Sequence, residues 1–144
     1  MKKIDGKIVL VDDEIYEKTL LEIALAHKQW SIELVYFSDS LAALDFLKET
    51  NDDIFLIIAD MNMPKMNGLE LKKAIDSNAL LSKKSIPFIF FSNSATSEQV
   101  LEAYDYRVQG YFKKPMSVEE QANQLDLIIR YWIISRHPHK DYSL

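Results

Sequence analysis

The sequence of 144 residues contains no cysteine and only three histidines. The absence of cysteine excludes disulfides, zinc–thiolate sites and cysteine nucleophiles, and it fits a reducing compartment, which we expect to be the cytoplasm. The three histidines, His27, His137 and His139, do not have the spacing of metal ligands, and we interpret them as surface residues.

Long apolar runs and an excess of positive charge are also absent. No apolar run approaches the roughly 20 residues that a bilayer-spanning helix needs. The apolar stretch near the N-terminus runs directly into Asp12, Asp13 and Glu14, so it is not a signal peptide. The net charge of −5 argues against direct binding of DNA or RNA. What remains is a globular composition, 48% hydrophobic and 27% charged, in a chain long enough for one domain.

Short apolar runs alternate with amphipathic stretches along the chain. The runs predicted to be strands are Lys7–Val11, Ile32–Phe37, Ile54–Ala59, Ile86–Phe91 and Gly110–Phe112. The first, third and fourth are apolar on both faces, which is typical of strands inside a parallel sheet. Helical patterns cover 14–28, 39–49, 68–77, 96–105 and 118–134. This alternation predicts an α/β fold with right-handed crossovers.

The same patterns predict how the chain is divided. We expect one domain over residues 1–144, with a core of about 7–134 and a frayed polar tail at 135–144. The stretch Ser77–Ser85 is predicted to be an enlarged loop before the fourth strand. Two helix starts carry the residues of a capping box, Thr96 with Gln99 and Ser117 with Glu120.

Polar residues stand at the predicted carboxyl ends of the strands, where an open parallel sheet binds its ligands. They are Asp12 and Asp13 after the first strand, Asp60 after the third, Ser92 after the fourth and Lys114 after the fifth. If the first and third strands are neighbours, three carboxylates converge on one pocket. Two carboxylates ~4 Å apart repel by about 4 kcal/mol at an effective dielectric constant near 20. A hard divalent cation such as Mg²⁺ would remove this repulsion.

Acids, a metal, a lysine and a hydroxyl together suit phosphoryl chemistry. Asp60 is then the natural nucleophile, because a carboxylate can carry a phosphoryl group as an aspartyl phosphate. Each residue also has a purely structural interpretation: a helix cap for Asp13, a loop hydroxyl for Ser92, a solvated lysine for Lys114 and core packing for Tyr111. Those interpretations require several coincidences at one edge of one sheet.

From about Lys7 to Ile134 the sequence resembles the receiver domain of two-component response regulators. The motifs that carry the resemblance are "LVDDE", "DMNMPKMNGLE", "FFSNSA" and "GYFKKP", in this order and each at a predicted strand end. The resemblance implies a flavodoxin-like, doubly wound, five-stranded parallel sheet with five helices. It also implies the strand order 2-1-3-4-5 of the family's chemotaxis receiver.

The resemblance implies a role for each site residue. A sensor histidine kinase or a histidine phosphotransfer protein docks near the first helix and passes a phosphoryl group from phosphohistidine to Asp60. The implied Mg²⁺ ligands are Asp13, Asp60 and the backbone carbonyl of Asn62, with Asp12 acting through water. The implied ligands of the phosphoryl oxygens are Lys114 and the hydroxyl of Ser92.

Phosphorylation is implied to switch the protein. Ser92 moves inward, Tyr111 rotates, and the face formed by the fourth predicted helix, the fifth strand and the fifth helix is rearranged for a downstream protein. Hydrolysis of the acyl phosphate resets the switch, so the chain acts on its own phosphoryl group only. A homodimer through the last helix and the fifth strand is a further implication of the resemblance.

Several positions depart from the family pattern or carry a specific expectation. Arg107 and Val108 replace the usual Gly-Ala before the fifth strand, and a non-glycine residue with a positive φ would be strained there. Gly68 is expected to allow a backbone shape that other residues resist. The enlarged loop resembles that of single-domain receivers associated with phytochrome-type kinases.

The sequence leaves two other functions open. One is a receiver-like module that binds proteins without switching. The other is a phosphatase that uses Asp60 as a turnover nucleophile. Haloacid-dehalogenase-like phosphatases have Asp-x-Asp, and the second acid is here Asn62, which cannot act as a general acid. A flavin site fits less well, because the acidic segment "DDEIYEK" would repel the phosphate of FMN.

Overall fold

The computed structural model describes residues 1–143 and forms five strands and six helices within them. The strands are β1 (Lys2–Val11), β2 (Trp30–Phe37), β3 (Ile54–Ala59), β4 (Phe88–Ser92) and β5 (Gly110–Lys113). The helices are α1 (Ile15–His27), α2 (Ser40–Glu49), α3 (Gly68–Ser77), α4 (Ala79–Lys84), α5 (Ser97–Asp105) and α6 (Val118–Ile134). Leu144, the end of the predicted tail, lies outside the described residues. None of the helices formed by residues 1–143 has both the length and the apolar character that crossing a bilayer requires.

The five strands form one parallel sheet in the order β2-β1-β3-β4-β5. This confirms the predicted flavodoxin-like topology. Strands β1 and β3 are neighbours, and their last residues, Val11 and Ala59, are paired. The residues that follow these two strands therefore meet at the carboxyl edge of the sheet, as the sequence predicted.

Two hydrophobic clusters cover the two faces of the sheet. One contains side chains of α2, α3, α4 and α5, and the other contains side chains of α1 and α6. All six residues of β3 are buried, with Ile57 and Ala59 in the first cluster and Leu56 and Ile58 in the second. The absence of polar alternation in this strand is thus explained by helices packed on both faces.

The prediction of five helices and of a loop at Ser77–Ser85 is wrong, because α4 occupies this segment. The side chain of Asn78 caps α4 by accepting a hydrogen bond from the backbone N–H of Leu81. Leu81 is buried in the core. A helix of six residues is too short to show a helical period in sequence. The only local signals for α4 were therefore its cap residue, Asn78, and the apolar residue Leu81.

The prediction of a frayed tail, with His137 as a surface residue, is also wrong. His137 is 1% exposed, its ring stacks on Phe55, and its Nε2 lies 2.8 Å from the carbonyl oxygen of Phe55. Tyr142 is buried as well and meets the Phe55 ring edge-on. Phe55 is the second residue of β3, so the tail covers the amino edge of the sheet, opposite the carboxylates.

The segment between α5 and β5 departs from the family pattern as the sequence suggested. Arg107 has a φ of 59°, which lies in the left-handed region that favours glycine. Its backbone N–H donates to the carbonyl of Tyr104 and so completes the end of α5. A non-glycine residue therefore holds a conformation that costs roughly 1 kcal/mol.

Candidate functional site

Three carboxylates meet where β1 and β3 end. Asp12, Asp13 and Asp60 each place one oxygen atom within 4.8 Å of the other two. The backbone ties the two strand ends together, since the N–H of Asp60 donates to the carbonyl of Val11 at 3.0 Å. Asp12 is buried and Asp13 is exposed, so the cluster opens to solvent on the side of Asp13.

The alternative interpretation of Asp13 as the cap of α1 is wrong. The N-cap residue is Glu14, and its backbone N–H donates to Oδ1 of Asp12 at 2.9 Å. Tyr36 of β2 donates its hydroxyl to the backbone carbonyl of Asp12 at 2.6 Å. These bonds fix the loop after β1 through Asp12, and the exposed side chain of Asp13 takes part in neither of them.

Lys114 brings a positive charge to the acids. Its backbone N–H donates to the carbonyl of Ser92, and its Nζ lies 3.0 Å from Oδ2 of Asp12. The same Nζ lies 3.3 Å from Oε1 of Glu17 and 3.6 Å from Oδ2 of Asp60. The side chain is only 7% exposed, so the ammonium is held inside the pocket.

Burial and charge shift the titration of these groups. Burial raises the pKa of Asp12 to about 6, although Lys114 partly offsets the effect. Burial also raises the pKa of Asp60. Burial alone would lower the pKa of Lys114, but the carboxylates of Asp12, Asp60 and Glu17 raise it, so the ammonium stays charged. The pocket thus holds closely spaced, partly desolvated carboxylates, an arrangement that a bound cation stabilises.

Ser92 lies on the other side of Asp60 and is fully buried. The side-chain amide of Asn62 donates to Oγ of Ser92 at 3.4 Å, while the backbone N–H of Asn62 donates to Oδ1 of Asp60 at 3.1 Å. Asn62 therefore links the predicted nucleophile to the predicted hydroxyl. The structure brings Asp12, Asp13, Asp60, Ser92 and Lys114 to one edge of the sheet.

Tyr111 of β5 is tied to the loop that follows Ser92. Its hydroxyl donates to the carbonyl of Ser94 at 2.6 Å, and its ring packs 5.7 Å from the ring of Phe90. The side chain is half-buried, and burial raises the pKa of its hydroxyl. A movement of the loop at Ser94 would therefore also displace the ring of Tyr111 at the edge of the sheet.

Gly68 is required for a reason other than the one the sequence suggested. No glycine within residues 1–143 has a positive φ, and the left-handed residue of this loop is Lys65, with a φ of 61°. A Cβ atom at position 68 would lie 2.2 Å from the carbonyl oxygen of Asp60 and 2.6 Å from the ring of Phe90. Gly68 thus lets α3 start against the backbone of Asp60.

Two side chains near the site were missed in the sequence. Glu17 is 5% exposed and contacts Lys114 from the first turn of α1. Gln99 accepts from the hydroxyl of Ser94 at 2.7 Å and its amide lies 3.5 Å from Oδ1 of Asn62. The sequence predicts Gln99 only as part of a capping box with Thr96, and this capping box is present at the start of α5. No motif had indicated Glu17.

Comparison with known proteins identifies the family. The model of the response regulator receiver domain matches residues 8–126. The chain belongs to the receiver domain family of response regulators. Receiver domains are phosphoacceptor switch domains of two-component signalling, and they act with histidine kinases or phosphotransfer proteins and with downstream proteins.

Individual receivers and response regulators are similar over most of this chain. The response regulator Rcp1 of Synechocystis sp. is 28% identical over 131 residues, which cover 88% of each chain. The response regulator ArlR of Staphylococcus haemolyticus is 29% identical over 134 residues, 93% of this chain and 55% of ArlR. The chain thus spans about half the length of ArlR.

Solved structures of receivers have the same fold. The phosphorylated cyanobacterial phytochrome response regulator RcpA superimposes with a TM-score of 0.78 at 27% identity, covering 90% of this chain and 94% of RcpA. The Mn²⁺-bound form of Rcp1 superimposes with a TM-score of 0.76 at 26% identity, covering 90% of this chain and 96% of Rcp1.

Proposed function

We propose that this receiver accepts a phosphoryl group on Asp60 from the phosphohistidine of a sensor histidine kinase or a histidine phosphotransfer protein. The observation that carries the proposal is the position of Asp60 at the end of β3, within 3.6 Å of Lys114 and beside two further carboxylates. A rigid, fully buried strand holds the nucleophile still, which favours an in-line attack. The similarity to a phytochrome response regulator supports a phytochrome-type kinase as the phosphoryl donor. We expect the reaction to occur in the cytoplasm.

The transfer step uses the groups already in the pocket. A carboxylate oxygen of Asp60 attacks the phosphorus atom, the bond between phosphorus and the donor imidazole breaks, and its electron pair returns to the imidazole nitrogen. Lys114 offers its ammonium to a phosphoryl oxygen, and the Ser92 hydroxyl donates to another. Water then attacks the phosphorus atom of the acyl phosphate, its bond to the Asp60 oxygen breaks, and inorganic phosphate leaves, which restores the carboxylate of Asp60.

Mg²⁺ is the cofactor that we propose for this site. Asp13, Asp60 and the backbone carbonyl of Asn62 would hold the ion, with Asp12 acting through water. The fit rests on three carboxylate oxygens within 4.8 Å of one another and on the raised pKa of Asp12 and Asp60. When bound, the ion supplies the positive charge that lets these acids and an anionic phosphoryl group share the pocket. The Mn²⁺-bound form of the related Rcp1 supports a divalent cation.

The proposed output is the surface formed by α5, β5 and α6, which we call the output face. Tyr111 connects it to the site through the loop at Ser94. Large apolar side chains are exposed on both helices, namely Leu101, Tyr104, Leu127, Tyr131 and Ile134. Exposed apolar groups of this kind support protein binding, and both a downstream protein and a second copy of this chain fit the proposal.

Beryllofluoride binding, followed by backbone NMR in the presence of Mg²⁺, tests this function. We expect large shifts in wild type at the site, at Ser92 and Tyr111 and across the output face. We expect none in Asp60→Asn, which lacks the acceptor carboxylate. Asp45→Asn, the same change at an exposed position of α2, serves as control and should behave as wild type.

Each other outcome has a defined meaning. Equal spectra with and without beryllofluoride in wild type would contradict the proposal. Shifts confined to the pocket, with the output face unchanged, would favour the alternative of a receiver-like module that binds proteins without switching.

A further inference from the structure

Glu17 is a buried acid that the proposed transfer does not use. It lies in the first turn of α1, and its side chain is 7% exposed. Its Oε1 is 3.3 Å from Nζ of Lys114, closer than the 3.6 Å that separates this Nζ from Oδ2 of Asp60. A carboxylate is rarely buried without a specific partner, and here the partner is the lysine of the site.

Three carboxylates surround the ammonium of Lys114, and Asp12 accepts a hydrogen bond from it. An ammonium group has three N–H donors and no acceptor. Carboxylate oxygens of Asp12, Glu17 and Asp60 lie at 3.0, 3.3 and 3.6 Å from it. A phosphoryl oxygen that approaches Lys114 therefore competes with these carboxylates for the charge of the ammonium group.

We propose that Glu17 is a positioning residue that holds Lys114 back from an incoming phosphoryl group and so sets how readily the site accepts an anion. The inference rests on the proposed function of Asp60. The Glu17 carboxylate competes with the phosphoryl oxygens for the ammonium, and its negative charge repels them. The same charge favours a cation in the neighbouring acidic cluster.

This double effect separates the proposed role from a merely structural one. Removing the charge of Glu17 should strengthen binding of an anion and weaken binding of a cation. If Glu17 only stabilised the pocket, its removal would loosen the pocket and weaken both. The two ligands should thus respond in opposite directions.

The test compares wild type with Glu17→Gln, which keeps the shape of the side chain, and Glu17→Met, which fills similar space without a charge. Calorimetry measures the affinity for Mg²⁺ alone and, at saturating Mg²⁺, the affinity for beryllofluoride. In both variants we expect beryllofluoride to bind about tenfold more tightly and Mg²⁺ to bind roughly threefold more weakly. Glu22→Gln is the matched control, because Glu22 is an exposed acid of the same helix paired with Lys18.

The outcomes distinguish the inference from the proposed function. Failure of wild type to bind beryllofluoride would overturn the proposed function. If wild type binds it, unchanged or weakened binding of beryllofluoride in both Glu17 variants would overturn the role of Glu17 alone. A similar gain in Glu22→Gln would also overturn it, since the effect would then be one of net charge.

Discussion

Gly68, which has no side chain, is as important to this site as the charged residues. A Cβ atom at this position would lie only 2.2 Å from the backbone carbonyl oxygen of Asp60, which is too close for any side chain. Helix α3 also begins at Gly68, with Asn67 as its cap and Glu70 completing a capping box. The position of Asp60 is therefore coupled to the start of α3.

Gly68→Ala should disturb both stability and metal binding. The added methyl group forces the backbone of Asp60 and the ring of Phe90 to move, which we expect to lower the free energy of unfolding by about 1–3 kcal/mol. The displaced carboxylate should also weaken Mg²⁺ binding. Urea denaturation and Mg²⁺ titration measure the two effects.

Ser77→Ala, at the exposed end of the same helix, is the control and should change stability by only a few tenths of a kcal/mol. If Gly68→Ala were as stable as wild type and bound Mg²⁺ equally well, the close approach would not be needed.

The site residues differ in how far the sequence could predict them. Asp12, Asp13 and Asp60 directly follow apolar strands, so the family resemblance, which implied that β1 and β3 are neighbours, was enough to predict that they meet. Glu17 lies within a helix, and its burial depends on how α1 rotates against the sheet. That rotation is set by packing with distant residues, which no local pattern contains.

At the scale of elements, the C-terminal tail depends on a buried neutral imidazole. Nε2 of His137 bonds to the carbonyl of Phe55, and its Nδ1 accepts from the backbone N–H of His139. Both ring nitrogens are thus engaged by the neutral form, which has one donor and one acceptor. Burial lowers the pKa of His137 below the ordinary value of 6.5.

This shift makes stability depend on pH. As pH falls below about 6.5, the unfolded chain binds a proton at this histidine before the folded chain does. The contribution of His137 is therefore fully present above that pH and is lost as pH falls through the lower folded-state pKa. We expect wild type to lose more stability than His137→Gln between about pH 7.5 and about pH 5.5.

Urea denaturation at the two pH values measures the difference. His27→Gln, the same substitution at an exposed position of α1, should keep the full pH dependence of wild type. An equal loss of stability in wild type and His137→Gln would contradict the expectation.

The sequence was least informative for the shortest elements. Helix α4 has six residues, and the tail has no regular secondary structure among its described residues, so neither shows a period. The fixed place of the tail comes from contacts of His137 and Tyr142 with Phe55, more than 80 residues earlier in the chain. Long-range contacts of this kind are visible only in the structure.

At the scale of the whole molecule, the carboxyl and amino ends of the parallel strands differ in function. The carboxyl edge gathers the acids, Lys114 and Ser92, while the amino edge is covered by the tail through Phe55. The regular alternation of strands and helices predicted the fold, and the motif resemblance supplied the strand order. Substitutions in the tail should therefore alter stability with little effect on the acceptor site.

The most direct measurement is chemical identification of the residue that carries the phosphoryl group. The protein is incubated with acetyl phosphate and Mg²⁺, reduced with borohydride, digested and analysed by mass spectrometry. Borohydride converts an aspartyl phosphate into homoserine with release of phosphate. We expect homoserine at position 60, dependent on Mg²⁺ and on the donor, and none in Asp60→Asn. Modification at another residue, or none in wild type, would contradict this expectation.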